Sequence, residues 1–322
     1  MKSKISAIVV AIGMIGSVGA QSSYPTKPIR IIVPGAAGSV SDTILRALTD
    51  KVARNLGQPI VIDNRSGAGG VVAFEACAKA PADGHTLCSI FPEPFTYTSV
   101  LEPDKYKRYA TLEPVTQILT FSGVFYSNPK RKFSTFKDFI DTAKAKPEEL
   151  TYSSWGPGSA PNLVYEWINK SEKVSVRHIP AKGSVEAFND ALAGTVDMGF
   201  IGLGFALTNI QAGKLQPLAV LGNKRSPLLP NVPSLGELGY SLPYSGGWTG
   251  IATPAGTPAA IKERIANEFR TVMQEDEGFR NNFAAPRGYI PVGSKPAEFE
   301  KILEKEMRDG KSLLEFTGVK LE

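Results

Sequence analysis

The sequence predicts an α/β protein of two lobes, each built on a mainly parallel sheet flanked by helices, and three observations carry that prediction. Apolar β-forming runs alternate with segments of helical periodicity along most of the chain, which is the pattern of βαβ units and parallel sheets. The chain has 322 residues, too many for one ordinary core and enough for two. Turns made of small residues stand at strand-to-helix junctions in both halves, as at "VPGAAGSVSD" (33 to 42) and "SSWGPGSA" (153 to 160).

The N-terminus reads as an export signal. Lys2 and Lys4 precede an apolar run from Ile5 to Val18 that ends in Gly19 and Ala20, so cleavage after Ala20 leaves Gln21 first. The run is short for a membrane span and is diluted by Gly13, Gly16 and Ser17, and no later segment is long and apolar enough to cross a bilayer. The expected division is therefore a signal peptide over 1–20, a first lobe over 21–121, a second over 122–241, and a return to the first over 242–322.

Within the first lobe, Ile29, Ile31, Ile32 and Val33 form a strand. A helix starts near Ser41, with Ile44, Leu45, Leu48, Val52 and Leu56 on one face and Gly57 as its stop. "PIVID" then reads as a short buried strand, 70 to 80 as an Ala-rich helix, and Asp83-Gly84 as the turn into the strand "HTLCSI". The run "ILTFSGVFY" (118 to 126) is a long strand crossing into the second lobe.

There, Thr135 and Asp138 give a capping-box start to a helix that ends before Pro147. Strand "LTYSS", a helix from about Pro161, strand "VSVRHI", a helix over 184 to 193 and strand "VDMGFI" follow. The stretch 226 to 246 is rich in Pro, Gly and Ser and marks a surface connection. Beyond it, strand "WTGIATP" and helices over 258 to 274 and 296 to 314 are too few for a third lobe and complete the first. Two such lobes leave a cleft between them, the usual place for a small ligand.

Composition narrows the chemistry. The net charge is +5, or +3 once Lys2 and Lys4 are removed, and Lys and Arg are scattered, so nucleic acid is excluded as a partner. Cys77 and Cys88 are the only cysteines, and their spacing fits a helix followed by a strand packed on it; both a disulfide and two small buried residues remain open. Two histidines, His85 and His178, stand at no ligand spacing, so no metal is expected.

Enzymatic motifs fail in turn. The chain has no G-x-S-x-G elbow and no Walker A pattern, and Val72 takes the third glycine position of a dinucleotide fingerprint in "GAGG". A serine triad would have to use His85 or His178, which read as packed or surface residues beside strands. The pair Glu148 and Glu149 sits in a loop context where solvated charge is the default. No catalytic residue and no cofactor is expected.

What remains are four small-residue turns, 34 to 42, 64 to 70, 153 to 160 and 181 to 184. Gly and Ser serve turning and capping in any α/β loop. Four such turns at the C-terminal ends of parallel strands, however, line a cleft with N–H and hydroxyl donors, an arrangement that receives an anion.

The chain resembles the substrate-binding proteins of tripartite tricarboxylate transporters, the Bug receptors, in the blocks "YPTKPIRIIVPGAAGSVSD", "GQPIVIDNRSGAGG", "AKAPADGHTL", "YSSWGPGSAPNL", "ALAGTVDM", "QAGKLQPLAV", "RSPLLPNVPSLGELGY" and "WTGIATPAGTP". The resemblance implies a type II, Venus-flytrap periplasmic-binding-protein fold. It further implies a monomeric, exported receptor that closes on a small organic carboxylate and delivers it to membrane permease subunits. A ligand-presenting sensor subunit is the alternative role. The carboxylate is expected on the first two turns, at Ala36, Gly38, Ser39, Ser41, Asp42, Gly67, Ala68 and Gly69, with Ser154, Trp155, Gly158, Ser159, Asn162, Ala181 and Ile201 on the facing wall.

Four departures from the family pattern bear on the ligand. Gly38 and Ser39 replace paired glycines, Asn162 stands where histidine is common, Ala181 where tyrosine is common, and Ile201 where many members have an aspartate facing the cleft. Ile201 offers no partner to an ammonium, while Trp155 in a cleft turn and Trp248 beside the lobe connection suit a flat ligand. The expectation is a non-amino carboxylic acid, with an aromatic benzoate- or phthalate-like acid ahead of an aliphatic di- or tricarboxylate.

Overall fold

A computed structural model describes residues 24–131, 133–244 and 246–320. The expected signal peptide lies outside the described residues. The strands are β1 (Ile29–Val33), β2 (Ile60–Asn64), β3 (Thr86–Ile90), β4 (Glu113–Phe121), β5 (Gly123–Ser127), β6 (Thr151–Ser154), β7 (Arg177–Pro180), β8 (Met198–Gly202), β9 (Gln216–Val220), β10 (Gly247–Thr253) and β11 (Tyr289–Pro291). They form a six-stranded sheet of order β11-β4-β10-β3-β1-β2 and a five-stranded sheet of order β7-β6-β8-β5-β9. Helices α1 (Val40–Leu56), α2 (Val71–Ala78), α3 (Pro92–Thr96), α4 (Thr98–Leu101), α5 (Pro103–Tyr106), α6 (Phe136–Ala145), α7 (Ala160–Glu172), α8 (Ser184–Ala193), α9 (Leu203–Gln211), α10 (Ala259–Glu275) and α11 (Pro296–Thr317) cover them.

β1 is buried on both faces, and its alternation decides what each face meets. Ile29, Ile31 and Val33 join Leu45, Leu48 and Val52 of α1 and Phe269 of α10 in one core, while Ile32 joins Phe74 and Phe299 in another. α1 begins at N-cap Ser39, one residue earlier than the periodicity suggests, and stops at Gly57 in the left-handed conformation. The Thr135–Asp138 capping box starts α6 as expected.

Each sheet is mixed rather than mainly parallel. Parallel pairing is confined to β2-β1-β3 and β7-β6-β8, and β10 and β5 run against their neighbours. The reason is the route of the chain. β4 ends at the edge where β1, β2 and β3 end, so the chain enters the second sheet at that same edge, and β5 must run against the strands that finish there. β10, the returning strand, does the same in the first sheet.

The long run 118 to 126 is accordingly two strands, broken at Ser122, whose hydroxyl donates to the Leu221 carbonyl (2.8 Å). β2 is an edge strand with Val61 53% exposed, not a buried one, because only one face is covered by α1. In the connection 226 to 246, Val232, Ser234 and Leu235 are buried, and Ser234 bridges Val220, so part of it is core.

α11 departs furthest from the expectation that the C-terminal elements complete the first lobe. Its Phe299 and Leu303 enter the core beneath Trp248, whereas Leu313 and Leu314 enter the core of the second sheet with Phe139 and Tyr165. One helix thus packs into the cores of both halves.

Cys77 on α2 and Cys88 on β3 are joined in a disulfide with their Cα atoms 6.1 Å apart, which settles the alternative left open by spacing. The bond ties α2, and the turn that leads into it, to the sheet. Replacing both cysteines with alanine is expected to cost about 2–4 kcal/mol, read as a lowered urea midpoint of the oxidised protein. An unchanged midpoint contradicts a structural role for the bond.

Candidate ligand site

β1, β2 and β3 point their C-terminal ends at those of β6, β7 and β8, and a cavity of about 1090 Å³ lies between the two sets of junctions. The first turn owes its shape to Asp42. Gly38, at φ 82°, donates its N–H to Asp42 Oδ2 (2.9 Å). Asp42, 2% exposed, also accepts from Arg46 Nε (3.0 Å) and Asn64 Nδ2 (3.0 Å). Burial works against the ionised carboxyl, but the hydrogen bonds from Arg46, Gly38 and Asn64 outweigh it and hold its pKa below the ordinary value. Asn64, at the end of β2, also donates to the Gly35 carbonyl (3.0 Å), so one amide locks the first turn to the second.

The third turn repeats the device. Gly158, at φ 74°, donates its N–H to Asn162 Oδ1 (2.9 Å), while Asn162 Nδ2 donates to the Tyr152 hydroxyl (2.9 Å), which donates to Glu166 (2.7 Å). "GSVSD" and "GSAPN" are thus two copies of one pattern: a left-handed glycine, an N-cap serine and a side chain three residues into the helix that reaches back for the glycine N–H. With that N–H satisfied, the groups left over are those of the helix start itself. The main-chain N–H groups of Val40, Ser41, Ala68 and Gly69 meet no protein acceptor among the described residues.

Of the residues singled out from sequence, Ala36, Ser39, Ser41, Gly67, Ala68, Gly69, Trp155, Gly158, Ser159 and Ile201 line the cavity. Gly38, Asp42, Ser154, Asn162 and Ala181 do not line it; they build the turns behind it. Ser154 is fully buried, its hydroxyl 2.6 Å from His178 Nε2 and accepting the Gly156 N–H (3.1 Å), and Ala181 donates its N–H to the Ser154 carbonyl (2.8 Å). Ser41 is not a cap, since Ser39 holds that position, and Ser41 faces the cavity.

His178 is packed, as expected from its place beside a strand: it stacks on Tyr152 at 4.9 Å, and burial lowers its pKa against the pull of Glu166. The Ser154–His178 pair is therefore a half-buried strut under the turn, away from the cavity wall. Trp248 is 1% exposed, packs edge-on against Phe299 and donates to Glu306 Oε2 (2.5 Å), with one edge reaching the cavity.

Sequence reasoning missed a further wall. Phe91, Glu93 and Pro94 at the end of β3, Phe121 and Tyr244 at the crossings, Lys182 and Asp190 by α8, and Phe200 on β8 all face the cavity. The junction after β3 contains no Gly or Ser, so a search for small-residue turns passes over it. Its position as the third parallel strand end was the signal available.

The chain matches known proteins over nearly its whole length. The sequence model described as "Tripartite tricarboxylate transporter family receptor" matches residues 44–318. Protein BugT of Bordetella pertussis (strain Tohama I) is 32% identical over 317 residues, 98% of this chain and 97% of BugT. Among solved structures, "R. palustris Rpa4515 with adipate" has a TM-score of 0.86 at 26% identity, covering 92% of this chain and 99% of its own. "Structure of periplasmic binding protein BugD" has a TM-score of 0.84 at 24% identity, covering 93% of this chain and 100% of its own, and shares the two-lobed fold.

If Asp42 shapes the first turn, Asp42→Ala leaves the Gly38 N–H and Arg46 without their acceptor and is expected to destabilise the protein by about 1–3 kcal/mol. Because the folded pKa is depressed, the contribution is present above the ordinary carboxylate range and lost as pH falls through the folded value. Urea unfolding as a function of pH tests both: the wild-type and variant midpoints should differ at pH 7, and the difference should narrow as pH falls below the ordinary carboxylate range.

Proposed function

Since the chain belongs to the tripartite tricarboxylate transporter receptor family, we propose that it is a periplasmic solute-binding receptor that captures a small organic carboxylate between its lobes and hands it to membrane permease subunits. The observation that carries this reading is the pair of helix starts lining one cavity whose N–H groups, at Val40, Ser41, Ala68 and Gly69, meet no protein acceptor among the described residues. Such groups stabilise an anion without a buried Lys or Arg, each charge-assisted bond contributing roughly 1.5–3 kcal/mol before the cost of association. The protein binds and releases; it performs no chemistry.

The proposed organisation is a signal peptide cleaved after Ala20, a first lobe over 21–121 and 242–322, and a second over 122–241, acting as a monomer. The proposed ligand is a non-amino carboxylic acid. Ile201 brings no charge to the wall, and Trp155, Phe91, Phe121 and Phe200 give it flat apolar surfaces, which supports an aromatic acid such as a benzoate or phthalate isomer. An aliphatic dicarboxylate is the second reading, favoured by the adipate held by the similar R. palustris protein.

Titration of intrinsic tryptophan fluorescence should register an aromatic acid directly. Gly69→Pro is expected to abolish that binding, because Gly69 sits at φ 65° and proline both forbids that angle and removes the N–H. Ser41→Ala should weaken it by about 1 kcal/mol with little change in melting temperature. Micromolar binding of glutamate or aspartate, with no response to any non-amino acid, overturns the ligand class.

A further inference from the structure

The third junction on the cleft edge of the first sheet differs in kind from its neighbours. β1 and β2 end in turns that offer N–H and hydroxyl donors, whereas β3 runs through Phe91 into α3 and places Glu93 on the wall of the same cavity. β1 lies between β2 and β3, and adjacent strands stand about 4.8 Å apart, so the strands that lead to Glu93 and to the far donor turn are on the order of 10 Å apart, the reach of one small ligand. Glu93 is half-buried, accepts from its own main-chain N–H, and has no hydrogen-bonding side-chain partner among the described residues.

The other cavity carboxylates have protein partners: Glu102 pairs with Lys105, Glu186 accepts the Lys182 N–H (2.8 Å), and Asp190 accepts from the Ser153 hydroxyl (3.3 Å). Glu93 stands apart from them, with Tyr97, Tyr244 and Glu306 as its neighbours.

We propose that Glu93 is a specificity-determining residue that accepts a hydrogen bond from an O–H or N–H donor carried by the ligand at the end opposite its carboxylate. The proposal rests on the carboxylate-receptor reading and narrows it, because a second anionic end would meet Glu93 as a like charge. The groups that face Glu93 are Tyr97 beside α3, Tyr244 at the return crossing, and Glu306 on α11, with Asp309 of α11 beyond Tyr97. Burial, reinforced by Glu306, pushes the Glu93 carboxyl up to about 7. An ionised acceptor is therefore present at pH 8 and largely lost at pH 6, so a donor-bearing ligand binds more weakly as pH falls. A dicarboxylate needs the proton on Glu93 and shows the opposite slope.

Calorimetry of the mature protein at pH 8 and pH 6 tests this with two sets of probes: benzoate, 4-hydroxybenzoate and terephthalate, and hexanoate, 6-hydroxyhexanoate and adipate. In the series that binds, the hydroxy acid should bind about tenfold more tightly than the unsubstituted acid at pH 8, with the advantage shrinking at pH 6. Glu93→Gln, checked for an unchanged melting temperature, should remove the pH dependence of that advantage and leave the unsubstituted acid unaffected. A dicarboxylate preferred in either series and favoured at pH 6, or equal affinity for hydroxy and unsubstituted acids in the wild type, overturns the proposal without touching the receptor reading. These arms need no variant. If no acid of either series binds, the receptor reading fails and this inference with it.

Discussion

The capture of a glycine N–H by a side chain three residues into the following helix is the interaction on which the ligand site depends. Asp42 takes the Gly38 N–H and Asn162 takes the Gly158 N–H. Each bond bends the chain back before its helix begins, with the glycine in a left-handed conformation that a Cβ would strain. The consequence is selective: the donor that could reach inward is used by the protein, and the donors of the next residues are left facing the cavity. Asn64 extends the constraint from the first turn to the second, and the Cys77–Cys88 bond holds α2 to the sheet on the far side of that second turn.

The two copies differ in charge, and the difference fits their surroundings. Asp42 has Arg46 one helical turn away to balance it at the rim. Asn162 is buried among Tyr152 and the elements under the third turn, where it needs both an acceptor for Gly158 and a donor for Tyr152. A neutral amide supplies both, whereas a buried carboxylate there would carry an uncompensated desolvation cost.

The cavity is polarised as a result. Main-chain donors with no acceptor among the described residues gather beyond β1 and β2, an acidic residue stands beyond β3, and aromatic side chains from both sheets line the same cavity. At this same edge the chain crosses between the sheets at β4–β5 and before β10, and α11 packs into the cores of both halves. The site is thus framed by the segments that join the two sheets.

By itself the sequence determined the α/β class, most helices and strands, the family, and the two turns that offer main-chain donors. All of these are local: periodicity, caps and small-residue turns are written in contiguous residues, and "GSVSD" and "GSAPN" were legible even where their shared geometry was not read. Tertiary structure decided the rest. Whether β5 and β10 run with or against their neighbours follows from where the chain crosses, not from their composition. Gly38, Asp42, Ser154, Asn162 and Ala181 were legible as site residues yet stand behind the wall, because side-chain hydrogen bonds turn them toward the protein. Glu93 joins the site for the converse reason: nothing in "FPEPF" marks it, and only the placing of β3 beside β1 puts Glu93 on the wall of the cavity that the donor turns line.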